Sequence, residues 1–288
     1  MEIGVGLPTT VPDVDGRRLV DWAVRAEEHG FSTLGVLDRL VYDSYEPLTA
    51  LTAAAAVTTR IRLATSILLA AYRPGTPLLA KQLATLHEIS GGRLTVGTAA
   101  GGREDDFQAT GAPYRNRGRR LDSLLTELRN IWDGKQTDTG VTGVGPRPTP
   151  PGPELIVGGH TPAAMRRAAR HANGWIAGGS SATAYADLAQ QARAAWRTEG
   201  RTDSPRLVAL VYACLGPEAR TTAEHYLRAY YAFIGPKAEM AAKAVITDAE
   251  SLRETATAYA EAGCDELLVF PCTAAPGQLN LLAEAALR

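Results

Sequence analysis

Cysteine is scarce. The 288 residues hold three, Cys214, Cys264 and Cys272. They cannot all pair and show no metal-ligand spacing, which excludes a disulfide framework and a cysteine-built metal centre. They read instead as small apolar packing groups in a reducing compartment. Net charge is also missing. Thirty basic and 31 acidic side chains leave a formal −1, so the chain has no global attraction to nucleic acid or an anionic membrane. No apolar run approaches the ~20 residues of a membrane-spanning helix. Met1-Glu2-Ile3-Gly4-Val5 lacks the basic start and apolar stretch of an export signal, and a cytoplasmic location is expected. Nucleophile elbow, P-loop and dinucleotide fingerprint are absent too.

What is present is alternation. Short apolar or β-branched runs read as strands at 3–7, 33–37, 62–69, 94–98, 155–157, 175–177, 207–215 and 265–271. Amphipathic segments read as helices at 17–29, 47–58, 76–89, 117–132, 162–171, 184–199 and 277–287. Such order implies a parallel sheet covered by helices. Eight units over this length predict a (β/α)8 TIM barrel, an α/β fold, ahead of a doubly wound sheet. No composition break marks a second domain, so 1–288 is expected to be one. A helical insertion is expected at 218–247, between the seventh strand and its usual helix. Its Tyr226, Tyr230, Tyr231 and Phe233 suit packing on the barrel wall, with one or two rings left to face a pocket. The Gly-, Pro- and Thr-rich stretch Lys135 to Pro153 reads as a long surface loop, a length that points to a lid or binding loop.

The most informative stretch is Leu155-Ile156-Val157-Gly158-Gly159-His160-Thr161-Pro162-Ala163-Ala164. It predicts a buried strand, a glycine turn and a helix start. Thr161 suits the N-cap and Pro162 the first helical position. Unpaired N–H groups and the helix dipole there favour a phosphate; an ordinary strand-to-helix turn is the competing reading. In a barrel the active site lies at the C-terminal strand ends. These carry small and apolar residues and few acids or bases, as suits a broad flat cofactor held by backbone groups.

Several segments carry a family resemblance. Asp38-Arg39-Leu40 follows the second strand. Leu79-Ala80-Lys81-Gln82-Leu83-Ala84-Thr85-Leu86 leads to Ser90-Gly91-Gly92-Arg93-Leu94. Gly111-Ala112-Pro113-Tyr114 precedes Arg117-Gly118-Arg119-Arg120-Leu121-Asp122, and Gly158-Gly159 runs on through Ala163 to Arg170 and Asn173-Gly174-Trp175. Up to about Gly179 the chain resembles the luciferase-like flavin and F420-dependent oxidoreductases, the bacterial luciferase superfamily. The resemblance implies a barrel that binds reduced FMN or the deazaflavin coenzyme F420, with the ring in the mouth and the phosphate on Gly158, Gly159, His160 and Thr161. It implies a non-proline cis peptide at Ser66-Ile67 beside the ring. Gly97, Thr98, Ala177 and Gly178 complete the implied cofactor contacts.

Asp38, Arg39 and His160 are the catalytic candidates. Asp38 suits a pocket role or a structural one equally. Arg39 stands where some deazaflavin enzymes have His, and Ala99-Ala100-Gly101 where some have Glu, which leaves the general acid unassigned. His160, in a phosphate turn, suits phosphate binding or capping. His29, His87 and His171 fall on helices; His225 and Cys272 remain as minor pocket candidates.

The favoured function is an F420-dependent reductase or dehydrogenase passing a hydride between C5 of the coenzyme and an electrophilic carbon of a small organic substrate. Ser66-Ile67 resembles the pair found in deazaflavin members more than that of luciferase. Arg73, Arg103, Arg115 and Arg117 are rim candidates for the anionic coenzyme tail, each also readable as a solvated charge. An FMN-dependent monooxygenase is the alternative, and a catalytically silent, cofactor-free barrel subunit a third. The resemblance also allows a homodimer through helices near the second and third strands.

Overall fold

Each strand of this chain is too short and too apolar to stand alone, and each is followed by a helix with one apolar face. Packing such units side by side buries both. The computed structural model describes residues 1–287. The strands are β1 (Glu2–Gly6), β2 (Thr33–Val36), β3 (Arg62–Leu68), β4 (Leu94–Thr98), β5 (Glu154–Gly158), β6 (Gly174–Gly178), β7 (Arg206–Ala213) and β8 (Glu266–Pro271). They pair in parallel in chain order, and β8 returns to β1, closing a barrel. The expected (β/α)8 architecture is the one observed.

The helices in order are α1 (Gly16–His29), α2 (Pro47–Val57), α3 (Thr76–Ile89), α4 (Glu104–Thr110), α5 (Arg117–Trp132), α6 (Pro162–His171), α7 (Ala182–Thr198), α8 (Ala219–Tyr230), α9 (Ala238–Lys243), α10 (Ala249–Glu261) and α11 (Gln278–Ala286). Their ends follow local chemistry. Asp15 caps α1, accepting from Arg17 N at 3.0 Å, and Gly30 closes it with φ +88°. Leu19, Trp22, Ala23 and Ala26 form the buried face of α1. Between β7 and α10 lie α8, a 3-10 turn over Ala232–Lys237, and α9.

The barrel interior is filled by side chains. Phe270 of β8 lies across β1 so closely that a Cβ on Gly6 would sit 2.3 Å from its Cδ1. Glycine at that point lets the ring occupy the centre. The N-terminal end is closed by charge. Glu266 is 2% exposed and accepts from Arg62 Nη2 at 3.0 Å and Arg206 Nη2 at 2.5 Å. Arg206 also reaches Glu154, and Arg62 reaches Glu2.

Residues 135–153 correct one expectation. This segment leaves α5 and enters the N-terminal end of β5, so it lies at the closed end of the barrel, away from the strand ends that carry chemistry. Lys81 Nζ donates to Gly145 O at 2.6 Å and Glu88 Oε1 accepts from Thr149 N at 2.6 Å, pinning it to α3. It is a strap on the outer wall, not a lid. No helix among the described residues is long and apolar enough to cross a membrane.

Replacing Glu266 by Ala removes the buried carboxylate that two arginines share, leaving Arg62 with Glu2 and Arg206 with Glu154. Urea unfolding is expected to show a loss of about 2–3 kcal/mol; a change under about 1 kcal/mol would mean that the network is dispensable.

Candidate active site

The C-terminal strand ends surround one cavity of about 450 Å³, within the range of small-molecule and cofactor sites. Of the residues singled out in the sequence, Asp38, Ser66, Ile67, Gly158, Gly159, His160, Thr161 and Gly178 border it, as do Arg103, the Ala99–Gly101 stretch and three rings of the insertion.

Asp38 is the anchor of one side. It is 4% exposed. Its Oδ2 accepts from Leu69 N at 2.8 Å and from Arg73 Nη2 at 3.2 Å. Its Oδ1 accepts from the Tyr72 hydroxyl at 2.8 Å. Burial first, and then the neighbouring carboxylate, push the Tyr72 phenol well above its ordinary range, so that donor keeps its proton. Both carboxylate oxygens are thereby used to hold the end of β3. Arg73 continues to Glu46 at 3.1 Å, which takes it away from the rim role.

β3 ends in the Ser66–Ile67 cis peptide. Ile67 packs over β4 and β5, where glycines make room. A Cβ on Gly158 would lie 3.1 Å from Ile67 Cδ1, and one on Gly97 would lie 2.2 Å from Thr65 O. Gly97 is therefore a packing position under Ile67 and does not border the cavity. Thr98 and Ala177 do not border it either. Strand side chains alternate between two faces, and these two fall on the helix-facing side. Thr98 donates instead to Leu68 O at 2.8 Å.

The turn after β5 is built as its sequence suggests. Thr161 caps α6, accepting from Ala164 N at 3.2 Å, with Pro162 first in the helix. Gly159 has φ +135°, and Trp175 Nε1 donates to its carbonyl at 2.8 Å. His160 and Thr161 are exposed. Beside them Arg167 is paired with Asp122 through two bonds of 2.6 and 3.2 Å.

The other wall comes from residues that strand pattern alone does not reveal. Tyr212 of β7 and Tyr230, Tyr231 and Phe233 of the insertion all border the cavity. The Tyr212 and Tyr231 hydroxyls are 2.9 Å apart. Burial raises the pKa of both phenols, so they stay protonated through the neutral range. The spacing of the insertion rings was the only sequence signal for this wall; Tyr212 had none.

Arg39 lies outside the cavity. It is 8% exposed, donating to Tyr230 O at 3.1 Å and Val41 O at 3.0 Å. It fastens the insertion to the barrel. Burial, then the Arg103 charge, lower its pKa. Arg115 is exposed, and Arg117 donates to Gly101 O at 2.8 Å. His225 is exposed on α8, and Cys272 is buried without bordering the cavity. Among the described residues no cluster of His, Cys, Asp and Glu could hold a metal ion.

The family model described as luciferase-like monooxygenase matches residues 1–276. An uncharacterized protein of Mycobacterium tuberculosis is 34% identical over 186 residues, 54% of this chain and 64% of that protein. The chain thus spans less than two thirds of that relative's length. An F420-dependent glucose-6-phosphate dehydrogenase of Amycolatopsis mediterranei is 27% identical over 188 residues, 60% of this chain and 56% of that one. The solved structure of an F420-dependent secondary alcohol dehydrogenase, in complex with an F420-acetone adduct, superposes with a TM-score of 0.84 at 16% identity, over 99% of this chain and 98% of that one. That likeness is one of fold.

Asp38→Ala leaves the Tyr72 hydroxyl and the Leu69 amide without their acceptor and the Arg73 guanidinium with Glu46 alone. Stability in urea is expected to fall by about 3 kcal/mol or more. A loss below about 1 kcal/mol would deny Asp38 its anchoring role.

Proposed function

Because the chain belongs to the luciferase-like monooxygenase family, we propose that it is an F420-dependent oxidoreductase. It moves a hydride between the reduced deazaflavin and an electrophilic carbon, C=C, C=N or C=O, of a small organic substrate. One observation carries this reading: Ile67, at the cis peptide, and the Gly158–Thr161 turn border the same apolar cavity. The first offers a flat ring an aliphatic bearing surface; the second offers its phosphate a helix N-terminus. The N–H groups of His160, Thr161 and Ala163 have no acceptor among the described residues, which leaves them for an anion.

The bound ring supplies the hydride, and the protein supplies its setting. Leu37, Leu69, Ile176 and Leu210 on the cavity wall exclude water. Tyr212 and Tyr231 present neutral hydroxyls 2.9 Å apart. One can accept from the other and donate onward to a substrate heteroatom, a role no strand-end acid fills. Asp38 acts through the end of β3 and positions Ile67. The Ser66-Ile67 pair and the 27% identical F420-dependent relative favour the deazaflavin. Arg39 and Ala99–Gly101, where some deazaflavin members carry His and Glu, favour the second reading, an FMN-dependent monooxygenase of the same site.

Titrating the purified chain with F420 and with FMN, following ligand fluorescence, separates these. Saturable micromolar binding of F420 with FMN much weaker is expected. The reverse order selects the monooxygenase, and binding of neither removes both. In Gly159→Val the new Cβ would lie 2.8 Å from Ala164 Cβ, at a φ of +135°. Affinity for the ring compound is expected to drop by about tenfold or more, the measure of one charge-assisted hydrogen bond. Unchanged affinity would take the phosphate off this turn.

A further inference from the structure

Arg103 is the cavity cation that nothing in the fold neutralises. The carboxylates around it are committed elsewhere. Asp38 holds the end of β3. Asp105 pairs with Arg39 at 3.5 Å. Asp106 accepts from Leu40 N and Val41 N at 3.1 and 2.8 Å. Among the described residues Arg103 makes no ion pair. Its one hydrogen bond is long, Nη1 to Asp38 O at 3.4 Å, and its Nε is buried without a partner. The other cation on the wall, Arg167, already has its carboxylate in Asp122.

The guanidinium is nonetheless held in place. It stacks on Phe233 at 4.3 Å and Tyr230 at 5.2 Å from the ring centroids. Stacking uses its faces and leaves its terminal edge for a planar oxyanion. Its neighbour Arg39 also packs on Phe233, at 5.4 Å, but is kept from the cavity by its own bonds.

We propose that Arg103 binds a carboxylate of the second reactant, whose apolar body lies against Leu37, Leu69, Tyr230 and Phe233. Place in the barrel separates this anion from the cofactor's. Arg103 follows β4 in the chain, but its guanidinium turns to Asp38 at the end of β2 and to the rings of the insertion after β7, whereas the phosphate turn follows β5. A coenzyme tail is joined to its phosphate and so leaves from the β5 side. The assignment rests on the cofactor reading in that one respect. The substrate class is an apolar organic acid, bound as its anion through a charge-assisted fork.

The test uses the full chain loaded with whichever of F420 or FMN it binds. Sodium benzoate and neutral benzamide are titrated by calorimetry at fixed ionic strength. Benzoate is expected to bind about tenfold or more tighter than benzamide. Arg103→Met should bring benzoate down to the level of benzamide with cofactor affinity unchanged, and Arg103→Lys should retain part of the preference. Arg103→Gln serves if Arg103→Met does not fold, as judged by its thermal midpoint. Equal affinities in the wild type, or a benzoate affinity indifferent to Arg103→Met, overturn the proposal. Loss of cofactor affinity in Arg103→Met also overturns it, since the charge then serves the coenzyme. If neither ring compound binds, the cofactor reading fails alone, and the same titrations on the chain without cofactor still decide Arg103.

Discussion

The mouth of this barrel depends on one buried carboxylate. Asp38 accepts from an amide, a phenol and a guanidinium, all from the segment Leu69–Arg73 that follows β3. Its own carbonyl receives Arg103 from beyond β4. Three consecutive strand ends are thus tied at one residue. A carboxylate in so dry a place is costly unless every lone pair is used, so the donors are fixed in direction as well as in number. Ile67 keeps its position because the backbone after it cannot drift. The glycines at 97 and 158 then give its side chain a bed.

The opposite wall is assembled differently. Here the fold borrows aromatic rings from an insertion and fastens them with Arg39, which binds the carbonyl of Tyr230. Tyr226 adds a second fastening, its hydroxyl 2.7 Å from Thr10 Oγ1 after β1. A segment with a kinked 3-10 turn at Gly235 is thereby made part of a defined surface. One wall is rigid through a charge network, the other through rings and the bonds of Tyr226, Tyr230 and Tyr231 to the barrel.

Strand–helix alternation, the capping residues Asp15 and Thr161, and the glycine turn at 158–159 are local signals, and they made the barrel and the turn legible from the sequence. Which side of a strand faces inward was not legible at Thr98 or Ala177, because every residue of a short, fully buried strand is apolar or small and the period of two leaves no trace. Arg39 looked like its neighbour Asp38, yet adjacent residues point apart. Tyr212 was hidden for the opposite reason, being an aromatic in a run where any aromatic suits a strand. The stretch 135–153 showed a composition suited to a loop, but only topology says at which end of the barrel a loop between a helix and the next strand must fall.

The closed base has a kinetic meaning. Glu266, Arg62, Arg206 and their partners close the end of the barrel beneath Ser66, so the cavity is left open only toward the C-terminal strand ends. In a blind-ended chamber two guests cannot exchange places. Were the cavity to hold two ligands at different depths, the deeper would enter first and leave last, and the ion pairs farthest from the cavity mouth would set that order.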